Sequence, residues 1–357
     1  MTKSSKSSAL KENEGVSPSE ITNASSIDKI KSKRKSKPSS ETLVSQIIEG
    51  NITALSRAIT LVESANKNHL KQANAIIKSC LPHANKSIRI GITGVPGVGK
   101  STFIEAFGMH LTSLGKKVAV LAVDPSSSLS KGSILGDKTR MEDLVKNENA
   151  FIRPSPSGTS LGGVARKTRE TIILCEAAGF DTILIETVGV GQSETAVHSM
   201  VDFFLLLKLA GAGDELQGIK RGIIEMADAI AINKADGENQ KAAKIAKVEF
   251  NRALHLYPQK SSEWQPKVML CSALHREGID ELWELIQTFE AHTKTNGYFT
   301  NHRKEQSKFW LLQTIEDRLK SNFFDQPKIK KELKAQLRLI ENDKTTPFVA
   351  AEYLLDL

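Results

Sequence analysis

The residue pattern with the most evident chemistry is a glycine-rich loop that ends in a lysine and a serine. It reads Gly94-Val95-Pro96-Gly97-Val98-Gly99-Lys100-Ser101 and follows a short apolar run; Thr102 then starts a stretch with helical spacing. Glycines let backbone N–H groups surround phosphate oxygens, and the start of the following helix favours negative charge. In this setting Lys100 can reach the β- and γ-phosphates of a nucleoside triphosphate, and the hydroxyl of Ser101 can bind Mg²⁺. The pattern predicts a nucleotide-binding site.

A second polar pattern, Asn233-Lys234-Ala235-Asp236, directly follows an apolar run and indicates which base is bound. The carboxylate of Asp236 can accept hydrogen bonds from N1–H and the 2-amino group of guanine. Against adenine, which has neither donor, the carboxylate would be buried and unpaired, and such sites discriminate strongly. The stem of Lys234 can lie along the purine, and Asn233 can hold the loop together. After the next apolar run, Ser272-Ala273-Leu274 can offer a backbone N–H to guanine O6. We therefore expect GTP and GDP rather than ATP.

A carboxylate at the end of another apolar run, Glu186, is followed by Thr187-Val188-Gly189-Val190-Gly191-Gln192. Such a carboxylate can hold Mg²⁺ or its water, and the backbone N–H of Gly189 can reach the γ-phosphate. Many GTPases have aspartate at the first position and a water-orienting glutamine directly after the glycine, where this chain has Val190. Gln192 is displaced from that place, so it is either a candidate catalytic glutamine or a plain loop residue.

Two further carboxylates are candidates for the metal ion or for loops that move with the nucleotide. Asp124 directly follows an apolar run, and Asp137 lies in Gly136-Asp137-Lys138. Alternatively, Asp124 caps a turn and Asp137 is solvated. A last glycine-rich stretch, residues 211–220, matches no phosphate-binding pattern; it is either an ordinary strand-to-helix connection or a mobile loop that senses a partner.

Short apolar runs that alternate with helical stretches must position these groups. The runs are 88–92, 118–123, 183–185, 203–209, 229–232 and 268–270. Strands that are apolar throughout are buried on both faces, which is typical of a mostly parallel sheet covered by helices. We predict a doubly wound α/β domain over residues 85–296, with a helical segment over 41–84 and a helical extension over 297–357.

The composition of the chain excludes several classes of protein. No run approaches the roughly 18 apolar residues of a membrane span. Three scattered cysteines, Cys80, Cys175 and Cys271, exclude a disulfide framework and CxxC-type metal sites. Of the net charge of +8, the first 40 residues contribute +5, from nine Lys/Arg and four Asp/Glu. The rest is close to neutral, so we expect no nucleic acid partner, no membrane association and a cytoplasmic location.

The first 40 residues differ in composition from the rest of the chain. They contain twelve serines, no aromatic residue and a basic cluster between residues 31 and 37. Such a segment cannot bury enough apolar surface to offset its ordering entropy, so residues 1–40 are predicted to be a disordered Ser/Lys-rich tail. The tail either solubilises the chain or docks electrostatically on an acidic partner.

Taken together, these segments resemble the methylmalonyl-CoA mutase-associated GTPases, the MeaB/ArgK/MMAA family of P-loop GTPases. The likeness covers roughly residues 41–357. Besides the phosphate and guanine loops, it is carried by Val123-Asp124-Pro125-Ser126-Ser127, Ile134-Leu135-Gly136-Asp137-Lys138-Thr139-Arg140-Met141, Arg153-Pro154-Ser155, Glu186-Thr187-Val188-Gly189-Val190-Gly191-Gln192-Ser193 and residues 211–220.

The resemblance implies roles for residues and partners. Glu186, Asp124 and Asp137 would be magnesium or switch carboxylates, and a third switch loop would contain Gln217 and Lys220. The chain would form homodimers through its helical extension. It would gate the loading of adenosylcobalamin onto methylmalonyl-CoA mutase and protect that enzyme from inactivation.

Hydrolysis is expected to be slow in the isolated protein and faster with the partner, because Val190 cannot orient the attacking water. The candidate catalytic residues are then Lys100, Glu186, Gln192 and Lys220. Arg140, Arg153 and Arg166 are rival donors of positive charge.

Other functions stay open on the residues alone. A related GTPase metallochaperone would hold its ion through Cys or His clusters, whereas the eight histidines of this chain form no closely spaced pair. A regulatory GTP switch that acts on a different partner would have the same motifs. A kinase would need a phosphoacceptor site and a catalytic base, and the sequence shows neither.

Overall fold

The apolar runs form a seven-stranded sheet in the computed structural model, which describes residues 38–64, 66–123, 141–154, 161–187, 193–211 and 221–357. The strands are β1 Ile88–Gly94, β2 Val118–Val123, β3 Ala150–Arg153, β4 Thr182–Thr187, β5 Phe203–Leu209, β6 Ala229–Asn233 and β7 Lys267–Leu270. All neighbouring strands are parallel, in the order β3-β2-β4-β1-β5-β6-β7. The predicted doubly wound α/β fold is therefore confirmed.

Six of the seven strands coincide with the predicted apolar runs, and the edge strand β3 does not. Its four residues include one buried side chain, Phe151, and it ends at Arg153. An edge strand has one neighbour, so it needs no continuous apolar run. The other edge strand, β7, keeps the apolar run 268–270, whereas β3 has a single buried side chain and was missed.

Helices cover the sheet, and further helices precede β1 and follow β7 along the chain. Those in the described residues are α1 Ser40–Ile48, α2 Ile52–Glu63, α3 Lys67–Cys80, α4 Lys100–Ser113, α5 Glu142–Lys146, α6 Leu161–Ala177, α7 Ser193–His198, α8 Arg221–Met226, α9 Gln240–Leu254, α10 Ile279–Thr295, α11 Tyr298–Phe324, α12 Pro327–Glu341 and α13 Pro347–Leu355. Across these described stretches, no helix combines the length and the apolar character that a membrane crossing requires.

Two helical layers bury the faces of the sheet. On one face, α4 and α10 pack against β1, and the rings of Phe103 and Phe107 stack at 5.6 Å between centroids. On the other face, α6 and α7 pack against β1, β2 and β4, and the helices α1–α3 pack over α6. The helical spacing predicted before residue 84 corresponds to these three helices. Asn51 caps the N-terminus of α2, and its side chain accepts from the backbone N–H of Ala54 at 3.0 Å.

Buried ion pairs join the amino ends of the strands to the helices. In β1, Arg89 Nε donates to Glu176 Oε1 of α6 at 2.9 Å, and both side chains are buried. Arg303 of α11 donates to Asp202 Oδ2 and to the backbone oxygen of Ser87, both at 2.6 Å. These bonds connect α6 and α11 to the start of β1, and they leave the opposite, carboxyl ends of the strands for the functional loops.

The packing of α7 on β1 depends on a residue without a side chain. A Cβ atom on Gly91 would lie 2.8 Å from Phe204 Cδ2 and 3.0 Å from Val197 Cγ1. Both distances are too short for carbon–carbon contact, so the close approach of this helix and strand requires glycine at this position.

We expect Gly91→Ala to lower the free energy of unfolding by about 1–3 kcal/mol, because the added methyl overpacks a buried contact. Chemical denaturation followed by circular dichroism measures the change. Gly222→Ala in α8 is the matched control, since an added Cβ there meets no atom within 4 Å. Equal stability of the two variants would contradict this account of the packing.

Candidate nucleotide-binding site

The predicted phosphate loop connects β1 to α4 at the carboxyl end of the sheet. Its glycines have positive φ angles of 154° at Gly94, 82° at Gly97 and 91° at Gly99. These conformations suit glycine, and they curl the backbone between the strand and the helix. The 14-residue helix α4 begins at Lys100, so its N-terminus faces the loop. A loop of this shape at a helix N-terminus favours phosphate groups.

The side chain of Lys100 is folded into the loop. Its Nζ donates to the backbone oxygens of Gly94 at 2.7 Å and of Val95 at 3.3 Å. Burial lowers the pKa of Lys100, and the charges of Glu186 and Glu194 act in the opposite direction. The backbone oxygens of the loop therefore hold the side chain of Lys100, and the negative charges of two carboxylates act on it.

The buried side chain of Asn233, at the end of β6, joins the phosphate loop to the loop after β7. Its Nδ2 donates to the backbone oxygen of Val98 at 2.9 Å, and its Oδ1 accepts from the backbone N–H of Ala273 at 3.1 Å. A Cβ atom on Gly99 would lie 2.9 Å from the same Nδ2. One amide group thus sets the spacing of the two loops.

The predicted guanine-binding side chains lie next to this amide. Asp236 accepts a hydrogen bond from the hydroxyl of Ser272, so its carboxylate is oriented by the loop after β7. Lys234 has a left-handed backbone, φ 57°, and its Nζ donates to the backbone oxygen of Gly97 at 3.0 Å. Its alkyl stem therefore bridges from the guanine loop to the phosphate loop. Leu274 is 73% exposed, so only its backbone is available to the site.

The donors around the phosphate loop are suited to magnesium held jointly with phosphate groups. Glu186 is 4% exposed and lies opposite Ile92 in the register of β4 and β1. Ser101 is half-buried in the first turn of α4. The described residues contain no group of three or more His, Cys, Asp or Glu that could hold a metal ion by themselves. Mg²⁺ at phosphate sites takes one or two protein oxygens, with phosphates and water as its other ligands, and this donor set fits that mode.

One carboxylate at this site was missed in the sequence. Glu194, in the first turn of α7, is 5% exposed, and its charge acts on Lys100. The only signal in the sequence was an acidic residue soon after Gly191-Gln192, and that signal does not distinguish a buried side chain from a solvated one.

Several predicted residues lie outside the part of the chain that the structure describes: Asp124, Asp137, Gly189, Gln192, Gln217 and Lys220, together with Arg140. Two of the rival arginines lie within it. Arg153 Nε donates to Glu63 Oε1 of α2, and Arg166 Nε donates to Glu170 Oε1, each at 3.0 Å. The guanidinium groups of both are thus bound to carboxylates.

Comparison with known proteins identifies relatives over most of the chain. Residues 55–328 match the sequence model of a family described as methylmalonyl Co-A mutase-associated GTPase MeaB. A probable GTPase of Mycobacterium tuberculosis is 48% identical over 315 residues, which are 88% of this chain and 94% of that protein. The GTPase ArgK of Escherichia coli is 46% identical over 304 residues, 85% of this chain and 92% of that protein.

A mouse relative and a solved structure extend the likeness. The mouse protein, named methylmalonic aciduria type A homolog, mitochondrial, is 44% identical over 323 residues, 88% of this chain and 78% of its own. A crystal structure of a protein named LAO/AO transport system kinase superposes with a TM-score of 0.72 at 39% identity, covering 90% of this chain and 99% of its own. The match spans the phosphate loop, the guanine loop and the parallel sheet. This chain therefore belongs to the MeaB family of P-loop GTPases, and it binds guanine nucleotide and hydrolyses GTP.

Proposed function

We propose that this GTPase gates the loading of adenosylcobalamin onto methylmalonyl-CoA mutase and protects that enzyme. The observation that carries the proposal is the family match over residues 55–328, because the family is named for its association with the mutase. The name of the mouse relative, which refers to methylmalonic aciduria, agrees with it. Other relatives are named only as GTPases, so a regulatory switch on a different partner is the second candidate.

In this proposal, Mg²⁺ bound with the nucleotide supplies positive charge to the phosphates that react. Ser101 and Glu186 would hold the ion, with Asp124 and Asp137 as further switch or metal carboxylates. Lys100 would leave the loop oxygens of Gly94 and Val95 to contact the phosphates, exchanging two neutral acceptors for charged ones. The backbone N–H of Gly189 would contact the γ-phosphate.

Partner-dependent acceleration is the second part of the proposal. Transfer of the γ-phosphoryl group requires a positioned water and added positive charge, and Val190 supplies neither. We expect the segment 211–220 to bring Lys220 or Gln217 toward the nucleotide when the mutase binds, with Gln192 as a further candidate. Hydrolysis would then be coupled to cobalamin transfer through one conformational equilibrium.

A homodimer formed through the C-terminal helices is the third part. Large apolar side chains are exposed along α11, α12 and α13: Phe309, Leu311, Leu312, Ile315, Leu319, Phe324, Leu337, Leu339, Phe348, Val349, Tyr353 and Leu355. Large exposed apolar side chains in this number are typical of surfaces that become buried in protein interfaces. The occupant that the family resemblance implies is a second copy of the chain.

For nucleotide choice, we expect Asp236→Asn to weaken GTP binding by about a hundredfold or more and to permit xanthosine triphosphate, because the amide can donate where the carboxylate accepts. Titration calorimetry with GTP, xanthosine triphosphate and ATP measures this. Glu238→Gln, an exposed carboxylate two residues later, is the matched control and should bind as the unchanged protein does. Equal affinity of the unchanged protein for ATP and GTP would refute the assignment.

For partner dependence, we expect purified methylmalonyl-CoA mutase to raise the steady-state rate of GTP hydrolysis by at least about tenfold, because an added charge donor can raise such rates by about a thousandfold or more. Lys220→Ala should lose most of the acceleration and keep the basal rate, and Lys220→Arg, which keeps the charge, should retain part of it. A rate that the mutase does not change would refute the partner. Full acceleration in Lys220→Ala would show that Lys220 is not the charge donor and would leave the rest of the proposal unchanged.

For the homodimer, we expect Leu312→Glu to raise the dimer dissociation constant by more than about tenfold, since a buried charge opposes association. Sedimentation equilibrium measures the constant. Leu256→Glu is the control, because Leu256 is equally apolar and more exposed but follows α9, away from the C-terminal helices. A monomeric unchanged protein would contradict the proposal.

A further inference from the structure

The carboxylate of Glu194 is buried without full hydrogen bonding. The residue is 5% exposed, and within the described chain its Oε2 has no hydrogen-bond partner. Most buried polar side-chain atoms in proteins have a partner, and a buried carboxylate without one raises the free energy of the fold. A buried acceptor of this kind requires an explanation, and a donor outside the protein is one.

The direction of α7 places this carboxylate at the carboxyl edge of the sheet. At the C-terminal end of the helix, the ring of His198 packs edge-on against Phe204 in the second position of β5, with 5.4 Å between ring centroids. The preceding residue, Val197, packs at the same level of the sheet, against Gly91 of β1, which is the register partner of Phe204. The helix follows the carboxyl end of β4, at Thr187, and leads to the amino end of the parallel strand β5, at Phe203. It therefore runs antiparallel to the strands, and Glu194 in its first turn lies toward the carboxyl edge that carries the phosphate loop.

Negative charge accumulates at this edge when a nucleotide binds. Lys100 carries one positive charge, and the two carboxylates whose fields act on it, Glu186 and Glu194, are both buried. A nucleoside triphosphate would add several negative charges to this edge. At an effective dielectric constant of about 20, two unit charges roughly 8 Å apart interact by about 2 kcal/mol. Lys100, Lys234 at the phosphate loop and the buried Lys208 near the end of β5 offset part of that repulsion, and a divalent cation with its water ligands offsets more of it.

We propose that Glu194 positions the hydrated magnesium ion of Mg–GTP, accepting hydrogen bonds from water molecules bound to the ion. Mg²⁺ gives up its waters reluctantly and keeps several at phosphate sites, so it offers donors to a nearby carboxylate that does not ligate it directly. The same charge repels GTP that arrives without the ion. Glu194 therefore makes GTP binding depend on Mg²⁺, an inference that rests on the magnesium requirement of the proposed function.

The test is binding of a non-hydrolysable GTP analogue by Glu194→Gln, measured by calorimetry in excess Mg²⁺ and in EDTA. The ratio of the two dissociation constants, EDTA over Mg²⁺, should fall by about tenfold or more, as expected when one unit charge roughly 8 Å from a phosphate charge is removed. The two constants should move in opposite directions, with tighter binding in EDTA and weaker binding in Mg²⁺. If Glu194 only stabilised the fold, both dissociation constants would rise together.

Two variants keep the result interpretable. Glu194→Asp keeps the charge on a shorter side chain, so binding in EDTA should stay as in the unchanged protein while binding in Mg²⁺ weakens. Glu176→Gln removes a buried carboxylate at the other end of β1, about 20 Å away by the rise of a strand, and should lower stability without changing the ratio.

Two outcomes overturn the inference in different ways. An unchanged ratio in Glu194→Gln, with a large ratio in the unchanged protein, would refute the role of Glu194 alone. A ratio near one in the unchanged protein would refute the magnesium requirement of the proposed function and this inference with it.

Discussion

The site depends on the spacing that one buried amide imposes. Asn233 lies at the end of β6, and β5 separates that strand from β1, yet its side chain reaches Val98 in the loop after β1 and Ala273 in the loop after β7. It can do so only because the parallel register brings the carboxyl ends of these strands to one edge. The same spacing excludes a side chain at Gly99. The phosphate and guanine halves of the site are therefore fixed to each other before a ligand binds.

The two ends of the sheet differ in how completely their buried charged side chains are paired. At the amino ends, the charged side chains are matched: Arg89 with Glu176, and Arg303 with Asp202. Such pairs stabilise the fold only while both partners are present. They leave no unpaired charge for a ligand to contact. At the carboxyl ends, Glu194 has an acceptor without a partner in the described residues. Natural proteins concentrate local violations of this kind at functional sites, where a ligand completes the interaction.

Sequence patterns identified most of the fold because most of its strands are buried on both faces, and such strands appear as uninterrupted apolar runs. The phosphate and guanine loops were identifiable because their chemistry requires particular residue types at fixed spacing. Edge strand β3 and the carboxylate of Glu194 were not, for a common reason. An edge strand needs little apolar character, and Glu194 belongs to a helix that packs on β1 through Val197 and Gly91, a contact between segments more than a hundred residues apart. Local sequence patterns cannot predict contacts between distant segments.

Two of the arginines that could add positive charge during hydrolysis are already bound to carboxylates. Arg153 is held by Glu63 of α2, and Arg166 by Glu170 one helical turn away. To reach a phosphate, either guanidinium would have to leave a carboxylate that is itself more than half buried and would lose its partner. A lysine from the 211–220 segment would incur no cost from these two pairs. The ion pairs of Arg153 and Arg166 are therefore consistent with the proposal that the added charge comes from the 211–220 segment rather than from these two arginines.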